Sequence, residues 1–194
     1  PGPYNAITDV PGVEVGYTTL IEGEAVRTGV TIIHPRGKGN HDPVFAGWFP
    51  LNGNGEMTGA AWIEEGGFLE GPVGITNSHS VGVVRDTIID WQVQKDAMFQ
   101  RWSLPVVAET ADGWLNDMNA FHVRPEHVWQ ALDSAQGGPL AEGSVGGGTG
   151  MLGYEFKGGN GSASRVVEYG SHAFTVAAFV QANFGSRAEL TIAG

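Results

Sequence analysis

Residues 174–183 read FTVAAFVQAN, an apolar run that ends in Gln181 and Asn183. A continuous apolar run of this length, rich in β-branched and aromatic residues, predicts a strand that is buried on both faces. Residues 104–110, LPVVAET, show the same arrangement, with the apolar run LPVVA followed by Glu109. The two runs predict buried strands of a layered fold, each with a polar side chain where it leaves the sheet.

The rest of the chain predicts a mixture of strands and helices. Four further segments have the β-branched or short apolar pattern of a strand: residues 12–20, 29–34, 59–63 and 72–76. Apolar residues at helical spacing predict one helix over residues 81–91 and a second helix over residues 125–135. Because strands outnumber helices and their order is mixed, we predict an α+β or α/β fold, built in layers as one domain over residues 1–194.

Composition and charge exclude several classes of protein. The chain has a net charge of −11 and no cluster of Lys or Arg, so a surface for nucleic acid or anionic membranes is not expected. It has no cysteine, which excludes disulfides and thiolate sites. The longest apolar stretch is too short to span a bilayer. Since no signal sequence is visible, we expect a cytoplasmic or periplasmic protein.

Glycine is unusually abundant, with 31 residues, and is concentrated in residues 142–154, EGSVGGGTGMLGY. Gly148, Gly150 and Gly153 match the dinucleotide-binding pattern G-x-G-x-x-G. That fingerprint requires a strand directly before the glycines and a helix directly after them. Here Pro139 lies in the preceding segment and more glycines follow, so nucleotide binding is not predicted. The run fits a backbone concavity at an acyl or peptide site and, equally, a turn between core elements.

Neither a metal site nor a nucleophile can be assigned from the residues. Four residues could be grouped as metal ligands but have no recognised ligand spacing: His34, His41, Asp42 and His79. The G-x-S-x-G and S-x-x-K motifs of serine enzymes are missing. Four serines lie near glycines or histidine without a recognisable triad: Ser78, Ser80, Ser162 and Ser164. An acyl-transfer site in this chain would have supporting residues and no attacking group.

Asn183 and Glu109 are the candidates for such supporting residues. The neutral amide of Asn183 can donate a hydrogen bond to an oxyanion that develops in a transition state, whereas an asparagine that bridges loop backbone is the plainer interpretation. The carboxylate of Glu109 can pair with a substrate ammonium, and an ordinary ion pair or helix cap is the alternative. From the residues alone, the plainer interpretation is favoured at both positions.

Blocks of sequence along nearly the whole chain resemble one known family. They occur in the family's order: residues 5–16 (NAITDVPGVEVG), 27–35 (RTGVTIIHP), 52–59 (NGNGEMTG), 104–110 (LPVVAET), 139–151 (PLAEGSVGGGTGM), 154–161 (YEFKGGNG), 165–167 and 180–185 (VQANFG). These blocks are similar to those of the DmpA-like family, whose members are L-aminopeptidase/D-esterase-amidases and β-peptidyl aminopeptidases.

The resemblance implies a fold and an activity. The fold would be a four-layer αββα sandwich, α+β in class, like that of the N-terminal-nucleophile hydrolases and completed by a second chain. Family members cleave themselves, and the new N-terminal serine of the second chain becomes the nucleophile that forms an acyl-enzyme. This chain would then be the larger first chain of an aminopeptidase or amidase acting on α-L-, D- or β-amino acids. No metal or organic cofactor is implied, and relatives form tetramers of two-chain units.

The resemblance also implies roles for single residues. Asn183 corresponds to the asparagine credited as oxyanion-hole donor, and Glu109 corresponds to the glutamate that binds the free amine of the substrate. Gly146, Gly147 and Gly148 lie in a shared block, and we expect them to form a wall of the site.

The chain departs from the family pattern at three places. Ala111 stands where some relatives have a tyrosine assigned to the oxyanion hole, so that role is not carried over. Residues 20–27 are shorter than the glycine-rich loop of relatives, and residues 190–194 (LTIAG) lie in relatives well before the cleavage point. Two alternatives stay open: an acyl transferase similar to ornithine acetyltransferase, with a threonine nucleophile, and a catalytically silent binding subunit.

Overall fold

A computed structural model describes the whole chain, residues 1–194, as ten strands and three α-helices. In chain order these are β1 (Glu14–Glu22), β2 (Val26–His34), β3 (Val44–Phe45), α1 (Ala60–Gly66), β4 (Phe68–Leu69), β5 (Val73–Asn77), α2 (Val81–Gln94), β6 (Val106–Thr110), α3 (Pro125–Ser134), β7 (Leu152–Gly153), β8 (Phe156–Lys157), β9 (Asn160–Tyr169) and β10 (His172–Gln181). None of the helices has both the length and the hydrophobicity needed to cross a membrane.

Four strands form the main sheet, in the order β1, β2, β5 and β6. β1 pairs antiparallel with β2, and β2 pairs antiparallel with β5. β5 and β6 are parallel, and α2 connects them. Parallel strands place their carboxyl ends at the same edge of a sheet, and here Asn77 at the end of β5 pairs with Thr110 at the end of β6.

The helices α2 and α3 cover one face of this sheet. Val30 and Ile32 of β2 belong to one buried cluster with Val84 and Ile88 of α2 and Leu132 of α3. All five side chains are completely inaccessible to solvent. Burial of a side chain of this size stabilises a fold by roughly 1.5–3 kcal/mol, so this cluster holds the helical layer on the sheet.

The opposite face of the sheet carries a glycine-rich turn and the hairpin formed by β9 and β10. Thr31, which alternates along β2 with the buried apolar residues, accepts a hydrogen bond on its Oγ1 from Gly147 N at 3.1 Å. The turn is a 3₁₀ helix over Gly146–Gly150, and all of its residues are buried. β9 and β10 pair antiparallel along their full length. The layers therefore run from helices to main sheet to hairpin, which are three layers of the αββα order.

One face of the hairpin is apolar and exposed. Phe174, Val176 and Val180 are 54%, 60% and 52% exposed, whereas the residues that alternate with them are half-buried. The strand predicted over residues 174–180 is confirmed as β10, but the prediction that both of its faces are buried is wrong for this chain. Only one side of β10 faces other parts of the chain. Contiguous exposed apolar surfaces are typical of interaction sites.

Most of the other elements match their predictions. The helices predicted over residues 81–91 and 125–135 are confirmed as α2 and α3, and the apolar run LPVVA leads into β6 as predicted. The strand predicted over residues 59–63 is wrong, because these residues begin the helix α1. Gly59 and Gly67 flank this helix in the left-handed conformation, with φ of 71° and 73°, so the glycines set its two ends.

Candidate active site

The end of β10 lies alongside the end of β6, and this contact brings the predicted site residues to one edge of the fold. Gln181 Nε2 donates to Thr110 Oγ1 at 2.5 Å, and Asn183 Nδ2 donates to the carbonyl oxygen of Ala111 at 2.8 Å. Glu109 is the residue before Thr110, so the carboxylate and the amide are both carried by this pair of strand ends.

Glu109 is half-buried, and its carboxylate has one partner within the chain. Its Oε2 accepts a short hydrogen bond from the Oγ of Ser78, which lies in the 3₁₀ turn between β5 and α2. Its backbone N donates to the carbonyl oxygen of Glu56 at 3.1 Å. A pocket of about 500 Å³ lies beside it, with Trp48, Leu51, Gly55 and Met57 among the lining residues. The carboxylate is therefore held from one side and faces an open pocket on the other.

Asn183 lines a second pocket, of about 570 Å³, together with Trp114, Phe184 and Arg187. An asparagine amide has two N–H groups. One of them is bonded to the carbonyl oxygen of Ala111, and the other has no acceptor in this chain. Ala111 contributes a backbone acceptor here, and its methyl side chain offers no donor in place of the tyrosine hydroxyl of some relatives.

The glycine run lies behind the two strand ends. A methyl group at Gly147 would lie 2.5 Å from Gln181 Oε1, and one at Gly148 would lie 2.6 Å from the backbone N of Asn160. Gly146 has a φ of 52°, a conformation that favours glycine. No strand leads into the run and no α-helix follows it, so the fingerprint for nucleotides lacks its context in the structure as well. The glycines allow close packing next to Gln181.

A cluster of buried polar residues supports the turn after β6, and sequence reasoning missed it. Asn116 Nδ2 donates to Asp112 Oδ1 at 3.1 Å, and Asn77 Nδ2 donates to Thr28 Oγ1 at 2.9 Å. Burial raises the pKa of Asp112, and hydrogen bonds from neighbours that include Thr28 oppose the shift. Asn77 directly follows the strand predicted over residues 72–76, whereas Asp112 does not directly follow an apolar run.

The other candidate residues occupy structural positions. Ile7 N donates to Ser162 Oγ at 2.7 Å, and Ser164 Oγ donates to Asp9 Oδ2 at 2.6 Å, so both serines hold the N-terminal segment. Ser80 is buried, and none of these serines is hydrogen-bonded to a histidine. Of the residues considered as metal ligands, His34, His41 and Asp42 line one small pocket, but no group of three or more His, Asp or Glu residues is arranged to hold a metal ion.

Comparison with known proteins identifies relatives along the whole chain. The model of Peptidase family S58 matches residues 5–194. The β-peptidyl aminopeptidase BapA of Sphingosinicella microcystinivorans is 55% identical over 203 residues, and that of Sphingosinicella xenopeptidilytica is 52% identical over 205 residues. Each alignment covers 100% of this chain and 51% of the relative.

Solved structures of relatives have the same fold. The chain is 54% identical to a β-aminopeptidase from Burkholderia sp., with a TM-score of 0.93, and covers 56% of that chain. It is 51% identical to the L-aminopeptidase D-Ala-esterase/amidase of Ochrobactrum anthropi, with a TM-score of 0.94, and covers 57% of that chain. The second protein is described as a variant of the Ntn hydrolase fold. The predicted α+β sandwich of the N-terminal-nucleophile type is therefore confirmed.

The chain spans about half the length of the curated relatives it matches. The family model covers nearly all of the chain, and the relatives share more than half of its residues. These matches confirm the resemblance that the sequence blocks indicated. This chain belongs to peptidase family S58.

Proposed function

We propose that this chain is the larger part of a self-processed serine aminopeptidase, which releases N-terminal residues from peptides, amides or esters. The observation that carries the proposal is the pair of strand ends where Asn183 is bonded to Ala111 beside Glu109. The uncharged amide of Asn183 can donate a hydrogen bond to an oxyanion, and the carboxylate of Glu109 can pair with a substrate ammonium. We include β-amino acids among the N-terminal residues, because relatives 55% and 52% identical are β-peptidyl aminopeptidases.

The proposed reaction divides its steps between two chains. The hydroxyl of an N-terminal serine on the second chain attacks the substrate carbonyl carbon, and its own α-amine takes the proton. The second N–H of Asn183 donates to the oxyanion of the tetrahedral intermediate. The carboxylate of Glu109 pairs with the substrate ammonium and positions the carbonyl. The C–N bond then breaks, the leaving amine takes the proton, and water hydrolyses the acyl-enzyme.

Two features support a second chain. The chain covers only 51% of each BapA relative, so as much sequence again is present in those proteins. The apolar face of β10, which includes Phe174, Val176 and Val180, is exposed and gives that sequence a surface to pack on. We propose that the second chain covers this face and completes the αββα sandwich, and that the two-chain units assemble as tetramers.

We further propose that Gly146, Gly147 and Gly148 form the wall behind the site. Gln181 supports this assignment, because it lies against Gly147 and is bonded to Thr110 of β6. A side chain at Gly147 would displace Gln181, and with it the ends of β6 and β10 that carry Glu109 and Asn183. The reaction we propose needs no metal or organic cofactor.

Intact mass measurement and N-terminal sequencing of the full-length protein test the proposal. We expect two chains, the second of which begins with serine, and release of the N-terminal residue from a β-dipeptide. A second chain that begins with threonine would favour an acyl transferase of the ornithine acetyltransferase type. A single unprocessed chain without hydrolytic activity would contradict the proposal and favour a binding subunit.

A further inference from the structure

The contact between Ser78 and Glu109 has a consequence for how a substrate amine is bound. A carboxylate has two oxygens, and here they have different surroundings. Glu109 Oε2 accepts the hydrogen bond from Ser78 Oγ. Glu109 Oε1 accepts no hydrogen bond within the chain and lies beside Gly55, where a methyl group would be 3.0 Å away from it. One oxygen is occupied and the other is available from the pocket.

Ser78 is itself fixed in place by the fold. It follows Asn77, a residue that is only 2% exposed and accepts a hydrogen bond on its Oδ1 from His79 N at 3.0 Å. The side chain of Asn77 also donates to Thr28 Oγ1 of β2 at 2.9 Å. Both bonds hold the turn at the start of α2, so the buried sheet sets the position of the backbone that carries Ser78.

The loop on the other side of Glu109 leaves room for a ligand. Residues 52–55 read NGNG, and Asn54 N donates to Asn52 Oδ1 at 2.9 Å, which gives the loop a defined turn. Gly55 is the residue whose missing side chain leaves Oε1 uncovered. Gly53 lies in the same loop and is a matched control for Gly55, because a methyl group at Gly53 would meet nothing within 4 Å.

We infer that Ser78 is a positioning residue, which holds the Glu109 carboxylate so that Oε1 faces the substrate ammonium, and that Gly55 keeps the ammonium position open. The inference rests on the proposed amine-binding role of Glu109. A glutamate side chain that is ordered only on binding loses rotamer entropy at that step. Because the bond from Ser78 already orders the Glu109 side chain in the folded enzyme, binding of the substrate amine does not incur this entropy loss.

The test compares two substrates on the processed two-chain enzyme. One is a p-nitroanilide with a free N-terminal amine, and the other is the same anilide with hydrogen in place of the amine. A hydrogen bond to a charged group contributes enough free energy to change a binding constant about tenfold. We therefore expect loss of the Ser78 bond to raise KM for the free-amine substrate about tenfold. We expect kcat for that substrate, and both constants for the desamino substrate, to change less than about twofold in Ser78→Ala, because the reacting atoms are untouched.

Matched variants separate positioning from a general effect on folding. Ser78→Thr keeps the hydroxyl and should restore KM. Gly55→Ala places a methyl group against Oε1 and should raise KM for the free-amine substrate alone, whereas Gly53→Ala should leave it unchanged. In a Glu109→Gln background, Ser78→Ala should add no further loss, because the two residues act as one unit.

Each remaining outcome overturns a distinct statement. If Glu109→Gln raises KM selectively and Ser78→Ala and Gly55→Ala do not, the positioning inference is refuted and the amine-binding role of Glu109 stands. If Glu109→Gln does not discriminate between the substrates, the amine-binding role and this inference both fail. Equal losses on both substrates in Ser78→Ala would assign the serine to the fold alone. Should that variant not process, Ser78→Thr and the two glycine variants decide by the same criteria.

Discussion

Replacement of Asn183 by alanine should separate catalysis from stability. The amide of Asn183 uses one N–H to bond Ala111, and the reaction we propose uses the other to stabilise the oxyanion. Loss of one oxyanion-hole donor typically raises the barrier by ~2.7–4 kcal/mol, so we expect kcat to fall by about 10²–10³. The bond to Ala111 contributes about 1 kcal/mol at most to folding, because Ala111 is exposed and water can replace the lost donor. The kinetic loss should exceed the loss in stability severalfold.

The assay measures both quantities on the same preparation. Turnover of a free-amine ester and of the corresponding amide gives kcat, and urea unfolding gives the free energy of unfolding. N-terminal sequencing checks that the proposed second chain is released in the variant, since an oxyanion donor can also act in self-cleavage. Asn183→Asp serves as a matched variant, because it keeps the shape of the side chain, lacks both N–H groups and adds a negative charge near the oxyanion. We expect it to be at least as slow as Asn183→Ala.

Three results would refute the reasoning. Unchanged kcat in Asn183→Ala, with processing complete, would remove Asn183 from the oxyanion hole. A drop in kcat matched by an equal loss of unfolding free energy would mean that the residue supports the fold at the strand ends. An increase in KM with kcat unchanged would indicate ground-state binding instead of transition-state stabilisation.

Two further predictions concern buried groups of this chain. His34 is 3% exposed, with Nε2 3.3 Å from the carbonyl oxygen of Leu132, and burial lowers its pKa to about 4. The unfolded chain therefore takes up this proton near pH 6.5 and the folded chain only near pH 4, so up to about 3 kcal/mol of stability, present above pH 6.5, is lost as the pH falls to 4. Urea unfolding of His34→Gln should show a shallower decline of stability with falling pH. A decline identical to that of the unsubstituted protein would exclude His34 as its source. Gly29→Ala would push a methyl group into the carbonyl oxygens of Thr18 and Gly146 and should cost about 3 kcal/mol or more by the same assay. Gly161→Ala, which meets nothing within 4 Å, is the control, and equal stability of the two variants would contradict the packing of the glycine run on the sheet.

Hydrophobic periodicity in the sequence is sufficient to predict the elements whose apolar face packs against other parts of this chain. The helix α2 was predicted because its buried residues, such as Val84 and Ile88, recur at helical spacing. β9 was missed because it begins NGSAS, which alternates small and polar residues and contains no apolar run. Its partner β10 was predicted as a strand from its apolar composition, but composition gives no information on which molecule covers each face. The burial error at Phe174 and Val176 therefore has a physical cause.

The positions of Glu109 and Asn183 at strand exits were predicted from the same apolar runs, but their proximity was not. Proximity depends on the contact between β6 and β10, which are more than sixty residues apart in the chain and pair in no sheet together. Ser78 was considered as a nucleophile candidate because it lies near glycine and histidine. Its bond to Glu109 follows from the parallel pairing of β5 and β6, which places the turn after β5 next to the end of β6. No spacing in the sequence encodes that relation.

The glycine run explains why the site has no sequence motif of its own. Gly147 can approach Thr31 and Gln181 only because it has no side chain, and this approach lets the hairpin reach the main sheet at the end of β6. The bonds from Gln181 and Asn183 to β6 then follow from the packing of two sheets. The residues of a binding motif contact the ligand directly, whereas these glycines set the distance between other elements of the fold. A methyl group at Gly147 should therefore disturb the proposed oxyanion donor and the fold together, whereas Asn183→Ala should remove the proposed donor with little effect on the fold.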